Sequence, residues 1–163
     1  MRKAELLKNK IVNTDHLKGL IESWKLQHKK IVFTNGCFDL LHLGHIDYLM
    51  KAADLGDKLV IGLNSDHSTK CLKGPTRPIN NEESRSAILA ALFFVDVVVL
   101  FDDETPYNLI DLVKPDILVK GSDYHVEDIA GADIVKAEGG EVRLIDFLPG
   151  YSTTAIEKKI KNS

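Results

Sequence analysis

Two histidines three residues apart, His42 and His45, flank Gly44 just after an apolar stretch, Ile31-Val32-Phe33-Thr34, has run through the small-residue turn Asn35-Gly36-Cys37. On a helix this spacing puts both rings on one face, about one turn apart. A helix N-terminus offers unpaired N–H groups and the positive end of a dipole, which suits phosphate. Gly36 lets backbone approach a ligand, and Gly44 removes a Cβ that would hold phosphate oxygens away. Imidazole N–H groups can donate to those oxygens, and a phosphate neighbour raises a histidine pKa toward the charged donor form. The arrangement fits a nucleoside triphosphate best. Cys37, His42 and His45, with Asp39, are also acceptable zinc ligands, but a turn glycine between strand and helix fits phosphate better.

The reaction such a site serves is nucleotidyl transfer, in which a phosphate oxygen attacks an α-phosphorus and pyrophosphate leaves. A phosphate monoester has a second pKa of about 6, so the attacking oxygen is already ionised at neutral pH and no general base is required. The protein must align two polyanions and neutralise the transferring group, which calls for donors and cations. Lys70, Lys73, Arg77 and Arg85 crowd one short stretch. Arg77, in a loop after Gly74-Pro75, is placed to reach over the site as a fork for phosphate, with Lys73 as a point charge. Arg85 falls on a predicted helix facing the same loop. Asp39 either organises the turn, magnesium or substrate, or caps the next helix.

The elements that must position these residues are legible as alternating patterns. Apolar runs at 31–34, 59–63, 97–100, 117–119 and 142–145 read as about five strands. Between them lie helical stripes. Leu17, Leu20, Ile21 and Trp24 follow Thr14 as cap; Ile46, Leu49, Met50 and Ala53 form a second stripe; 81–93 is capped by Asn81 or Asn80. Thr105-Pro106 opens another helix, 131–138 is stopped by Gly139-Gly140, and Ser152 or Thr153 caps the last. Nearly continuous apolar strands alternating with helices predict an α/β fold, a Rossmann-like doubly wound parallel sheet covered on both faces. Residues 1–28 are expected to form a helical extension packing on a domain of 29–163. Ligands of such sheets sit beyond the strand C-termini, where the histidines fall.

Bulk properties narrow the classes. At 163 residues, 44% hydrophobic and 28% charged, one soluble globular domain is expected. A net charge of −3 argues against general nucleic-acid or membrane-surface binding. Two cysteines without C-x-x-C spacing make neither a metal motif nor a disulfide framework. No apolar run suits a bilayer span and the polar N-terminus is unlike a signal peptide, so a cytoplasmic protein is expected.

Thr34-Asn35-Gly36-Cys37-Phe38-Asp39 followed by His42-x-Gly44-His45 resembles the signature of the cytidylyltransferase-like superfamily of nucleotidyltransferases. Asn64-Ser65-Asp66, Leu72-Lys73-Gly74-Pro75-x-Arg77-Pro78, Leu118-Val119-Lys120-Gly121-x-Asp123-Tyr124 and Tyr151-Ser152-Thr153-Thr154 are similar to its ADP-heptose-forming adenylyltransferase branch. The resemblance implies an enzyme that joins ATP to D-glycero-β-D-manno-heptose 1-phosphate. It implies nucleotide contacts from Thr34, Asn35, Gly36, Phe38, Asp39, His42, Gly44, His45, Lys120, Gly121, Ser152, Thr153 and Thr154. Asp39, Asn64, Asp66, Lys73, Arg77, Arg85, Asp123 and Tyr124 would meet the acceptor, and His42, His45, Lys73 and Arg77 would act in transfer. Magnesium would come with ATP, without a dedicated protein cage. A homodimer is implied, and a kinase on another protein would supply the sugar 1-phosphate. Relatives often carry arginine where this chain has Glu157, leaving that role to a lysine or to Arg77. The alternatives are a CTP-dependent enzyme acting on glycerol 3-phosphate or a similar alcohol phosphate, and a non-catalytic nucleotide-binding regulator.

Overall fold

The strand runs pair as one parallel sheet. The computed structural model describes residues 2–162; Met1 and Ser163, the outer ends of the two expected segments, lie outside them. The strands are β1 (Ile11–Val12), β2 (Ile31–Gly36), β3 (Lys58–Asn64), β4 (Val97–Phe101), β5 (Ile117–Gly121) and β6 (Glu141–Ile145). The helices are α1 (Lys3–Lys8), α2 (Thr14–Leu26), α3 (Leu43–Ala53), α4 (Asp66–Lys73), α5 (Glu82–Ala91), α6 (Tyr107–Val113), α7 (Ala132–Ala137) and α8 (Thr153–Lys161). Every pairing is parallel, in the order β1-β4-β3-β2-β5-β6. The chain builds outward from β2 through β3 to β4, then crosses to β5 and β6, so the strand order reverses between β2 and β5.

Side chains alternate across the sheet because successive Cβ atoms of a strand point to opposite faces. Val97, Val60, Phe33 and Leu118 stand in register as a row on one face, packed with Leu17 and Ile21 of α2 and Ile110 and Val113 of α6. Val32, Ile61, Val98 and Ile117 face the other way, against Tyr48, Leu49 and Ala52 of α3 and Leu89 of α5. Burial on both faces is why the strands read as apolar runs instead of alternating ones.

Four local expectations need correction. The sheet has six strands, because Ile11–Val12 of the N-terminal segment pairs with Val98–Val99 as an edge strand. A two-residue strand has no periodicity to detect; only its distant partner defines it. Asn13, whose side chain accepts from His16 N, caps α2, so Thr14 is already helical. Thr105-Pro106 reads as a cap followed by a first helical proline, but Pro106 is itself the cap residue of α6. In α3 the buried positions are Gly44, Tyr48, Leu49 and Ala52, whereas Met50 is 43% exposed. The face is turned toward Tyr48 because its hydroxyl bonds Thr34 Oγ1 at 2.8 Å. Helix α4 was not visible as a helix: it is polar and short, and is started by the Ser65 side chain accepting from Ser68 N at 2.9 Å.

Leu118 is fully buried at the centre of the first row. Leu118→Ala is expected to lower unfolding free energy by about 2–5 kcal/mol, read from urea melts at unchanged slope.

Candidate functional site

Beyond the C-terminal ends of β2, β3 and β5 lies a cavity of 490 Å³. Asn35 and Gly36 of β2, Asn64 of β3, and Lys120 and Gly121 of β5 form its floor. His45 and Tyr48 of α3 and Leu72 and Lys73 of α4 form walls. It therefore sits where the strand order reverses, the position at which open parallel sheets bind ligands.

Burial governs the basic groups here. His45 is pushed down to about 4, first by desolvation, then by the positive fields of His42 and Lys73. Lys120 is pushed down to about 8 by desolvation, with Asp123 partly opposing. Its ammonium donates to Asn35 Oδ1 and lies 5.3 Å from the Tyr124 ring centroid. An anion in the cavity would reverse both shifts, because it favours the charged form. The His42 and His45 rings stack at 3.9 Å between centroids, and His42 N donates to His45 Nδ1 at 3.4 Å. His42 Nδ1 is buried without a hydrogen-bond partner among the described residues. Gly44 is closely packed: a Cβ there would stand 3.0 Å from His42 Nδ1 and 3.2 Å from Tyr151 Cβ. Phe38 holds a left-handed backbone, φ 44°, rare for a bulky side chain, and sets its ring edge-on to His45 at 5.5 Å.

Several expected ligand contacts are instead structural. Arg85 is 1% exposed and spends its donors on Cys37 O (2.6 Å), Asn64 O (2.8 Å), Asn80 O (2.9 Å) and Asp66 Oδ1 (2.7 Å). Arg85 is thereby committed within the protein, because a buried guanidinium must have its N–H groups satisfied, whereas the Asp66 side chain that meets it is 38% exposed. Asp39, 3% exposed, accepts from Arg77 Nε at 2.6 Å and from Ile79 N and Asn80 N at 2.8 Å. It clamps the 77–80 loop, in keeping with a turn-organising role. Burial alone would raise its pKa, but the amides of Asn80 and Ile79 and then the Arg77 guanidinium outweigh that and hold it below 3.8. Arg77 also donates to Glu157, and with its side chain 12% exposed it is held between two carboxylates, away from the cavity. Thr34 is fully buried, joined to Tyr48 and donating to Val119 O at 3.1 Å. Ser152 caps α8 by accepting from Ala155 N, and neither it nor Thr153, Thr154 or Asp123 lines the cavity.

The cavity has contributors the sequence reading passed over: Tyr48, Leu72, the Glu104-Thr105-Pro106 turn after β4, Asp128-Ile129-Ala130 and Phe147. The Glu104 turn and Phe147 follow strand C-termini, so the strand-end rule already pointed to them. The Phe147 ring lies over Gly121, where a Cβ would stand 2.2 Å from it. Among the described residues no group of three or more His, Cys, Asp or Glu side chains is arranged to hold a metal ion. No helix among them is long and apolar enough to cross a membrane.

A parallel sheet whose reversal point holds a cavity lined by a histidine and two lysines suits a phosphate-bearing ligand. Residues 33–159 match the cytidylyltransferase-like family, and the chain belongs to it. It is 51% identical over 154 residues to the bifunctional protein HldE of Wolinella succinogenes, covering 94% of this chain and 32% of that protein. The bifunctional protein HldE of Campylobacter concisus is 59% identical over 135 residues, 83% of this chain and 28% of that one. The chain thus spans about a third of the length of the curated relatives it matches. Among solved structures, the lipopolysaccharide core biosynthesis protein of Thermoplasma volcanium superposes with a TM-score of 0.58 at 31% identity, covering 74% of this chain and 97% of that one. Pantoate-beta-alanine ligase of Francisella tularensis, at 18% identity and TM-score 0.59 over 93% of this chain and 76% of that one, shares the fold.

Asp39→Asn is expected to cost about 3 kcal/mol at pH 7, the scale of breaking a buried ion pair. Because the folded-state pKa is depressed, Asp39 stabilises fully above 3.8 and loses that contribution as pH falls through the folded value. Melts of the two proteins should therefore converge in strong acid; a constant gap would contradict the assignment. In the free protein the His45 ring should titrate near 4 by NMR, and ATP should move it upward; a midpoint of 6.5 without ligand would refute the burial argument.

Proposed function

We propose that this chain transfers AMP from ATP to a sugar 1-phosphate, D-glycero-β-D-manno-heptose 1-phosphate, releasing pyrophosphate and forming ADP-heptose. The observation that carries the reading is the convergence of His45, Lys73 and Lys120 on one cavity at the sheet's reversal point. The acceptor phosphate oxygen attacks the α-phosphorus in line, the bond to the β-phosphate oxygen breaks, and pyrophosphate departs. Nothing in that step needs a side chain to remove a proton, since the acceptor is ionised at neutral pH.

His45 and Lys73 serve as donors to the triphosphate, with the His42 ring stacked behind His45. Each is worth most as charge builds on the transferring group. Lys120, held at Asn35, supports the acceptor phosphate. Tyr124 and Phe147, 47% and 51% exposed, offer faces for the base and the sugar. Gly36 admits the nucleotide to the end of β2. Magnesium enters on the ATP phosphates as part of the substrate, which suits an ion that keeps its waters and binds few protein ligands; Glu104 and Asp128, which line the cavity, are the carboxylates nearest to hand.

Pyrophosphate release should appear with magnesium, ATP and heptose 1-phosphate, and not with CTP and glycerol 3-phosphate; the opposite pattern overturns the substrate assignment. His45→Ala should reduce turnover by roughly 10²-fold, the effect of losing one transition-state donor. Turnover within a factor of about two of the parent would remove His45 from the mechanism.

A further inference from the structure

A second cavity, 300 Å³, opens on the other side of α4 and plays no part in the proposed transfer. Its wall holds Cys71, His67 and Asp102 in a line. Cys71 Sγ lies 3.8 Å from His67 Nε2, one helical turn away on α4. His67 Nδ1 lies 3.2 Å from Asp102 Oδ2 and 3.3 Å from Oδ1. Ser65 Oγ also donates to that carboxylate, and this hydroxyl, more than any other neighbour, keeps Asp102 ionised below the ordinary carboxylate range.

The fold builds this line from the ends of adjacent strands. Asn64 of β3 pairs with Phe101 of β4, and Ser65 N donates to Phe101 O at 2.9 Å. Asp102, the residue after β4, is thereby set beside the start of α4. In the tautomer with its proton on Nδ1, toward the carboxylate, His67 turns the lone pair of Nε2 to the thiol. This is the order of groups that readies a sulfur nucleophile: thiol, base, orienting acid. Cys37, the other free cysteine, is buried, whereas Cys71 is exposed.

We propose that Cys71 is a thiol-exchange site that accepts half of a low-molecular-weight disulfide into the 300 Å³ cavity. Its Sγ proton passes to His67 Nε2 while Sγ attacks one sulfur of R–S–S–R. The S–S bond breaks, the leaving RS⁻ takes the proton from His67, and Cys71–S–S–R and RSH result. Cys71 is oxidised and the departing sulfur reduced, so the small disulfide is the only oxidant needed. Leu72 and Glu104 line both cavities and Lys73 ends α4, so an adduct on Cys71 presses on the wall of the transfer site. That consequence for activity rests on the function proposed above; the sulfur chemistry does not.

Incubation of the protein with oxidised glutathione, followed by intact mass and peptide mapping, tests the site. One adduct on Cys71 is expected, none in Cys71→Ser, and formation at least about tenfold slower in His67→Asn, at the low end of what a positioned base contributes. Equal melting temperatures of parent and His67→Asn exclude a folding cause. No adduct, preferential labelling of Cys37, or an unchanged rate in His67→Asn overturns the proposal. The modified parent should also lose ATP turnover and regain it with dithiothreitol, while Cys71→Ser is indifferent to both; full activity of the adduct breaks the link between the cavities. If no substrate pair releases pyrophosphate, the transfer reading fails, and the mass result still decides the role of Cys71.

Discussion

A buried guanidinium holds the working end of this sheet together. Arg85 sits inside the protein with its N–H groups shared among two strand-end carbonyls, a loop carbonyl and the Asp66 carboxylate. Cys37 O belongs to the turn after β2, Asn64 O to the end of β3, Asn80 O to the loop before α5, and Asp66 opens α4. Those are four of the segments that wall or support the 490 Å³ cavity. Burying such a cation is costly unless every donor is met, so the four segments must keep their relative positions for the fold to persist. The ligand site gains its rigidity from that requirement.

Asp39 plays the complementary part with opposite charge. It gathers two loop amides and the Arg77 guanidinium, and Arg77 in turn reaches Glu157 on α8. Since α8 buries none of its residues, this ion pair and the Ser152 cap do much of what apolar packing does for the other helices. With Arg85 and Asp39 both turned inward, the cations left at the cavity are His45, Lys73 and Lys120. Two of these are held toward neutrality by burial, so the cavity carries positive charge in reserve that an anion would draw out.

Much of the architecture was legible because its signals are local or periodic. The five main strands are apolar runs, the Asn81 and Ser152 caps stand where their helices begin, and the histidine turn follows β2 at the reversal point. What escaped detection is the edge strand Ile11–Val12, defined by its distant partner β4, and α4, which is short and carries few apolar residues. At the site, the strand-end residues Asn35, Gly36, Asn64, Lys120 and Gly121 line the cavity as their positions imply. Arg85, Asp39 and Thr34, whose types equally suit a ligand, are hydrogen-bonded within the protein.

The ambiguity of such residues in a sequence is physical. Arginine beside backbone carbonyls and arginine beside phosphate oxygens satisfy the same donors, and a carboxylate can neutralise a loop's amides as readily as it can meet a substrate. Residue type and spacing are therefore degenerate between holding a ligand and holding the protein. The degeneracy is broken by asking which backbone groups would otherwise be stranded. The turn after β2 and the end of β3 leave the carbonyls of Cys37 and Asn64 inside the protein, where they must find donors. Arg85 lies on the buried face of α5, beside Ser86 and one turn before Leu89, and is the cation able to reach them. Lys73, at the outer end of α4, is left facing the cavity. A cation on the buried face of its helix fastens the fold, and a cation at a helix end beside a strand terminus is left for the ligand.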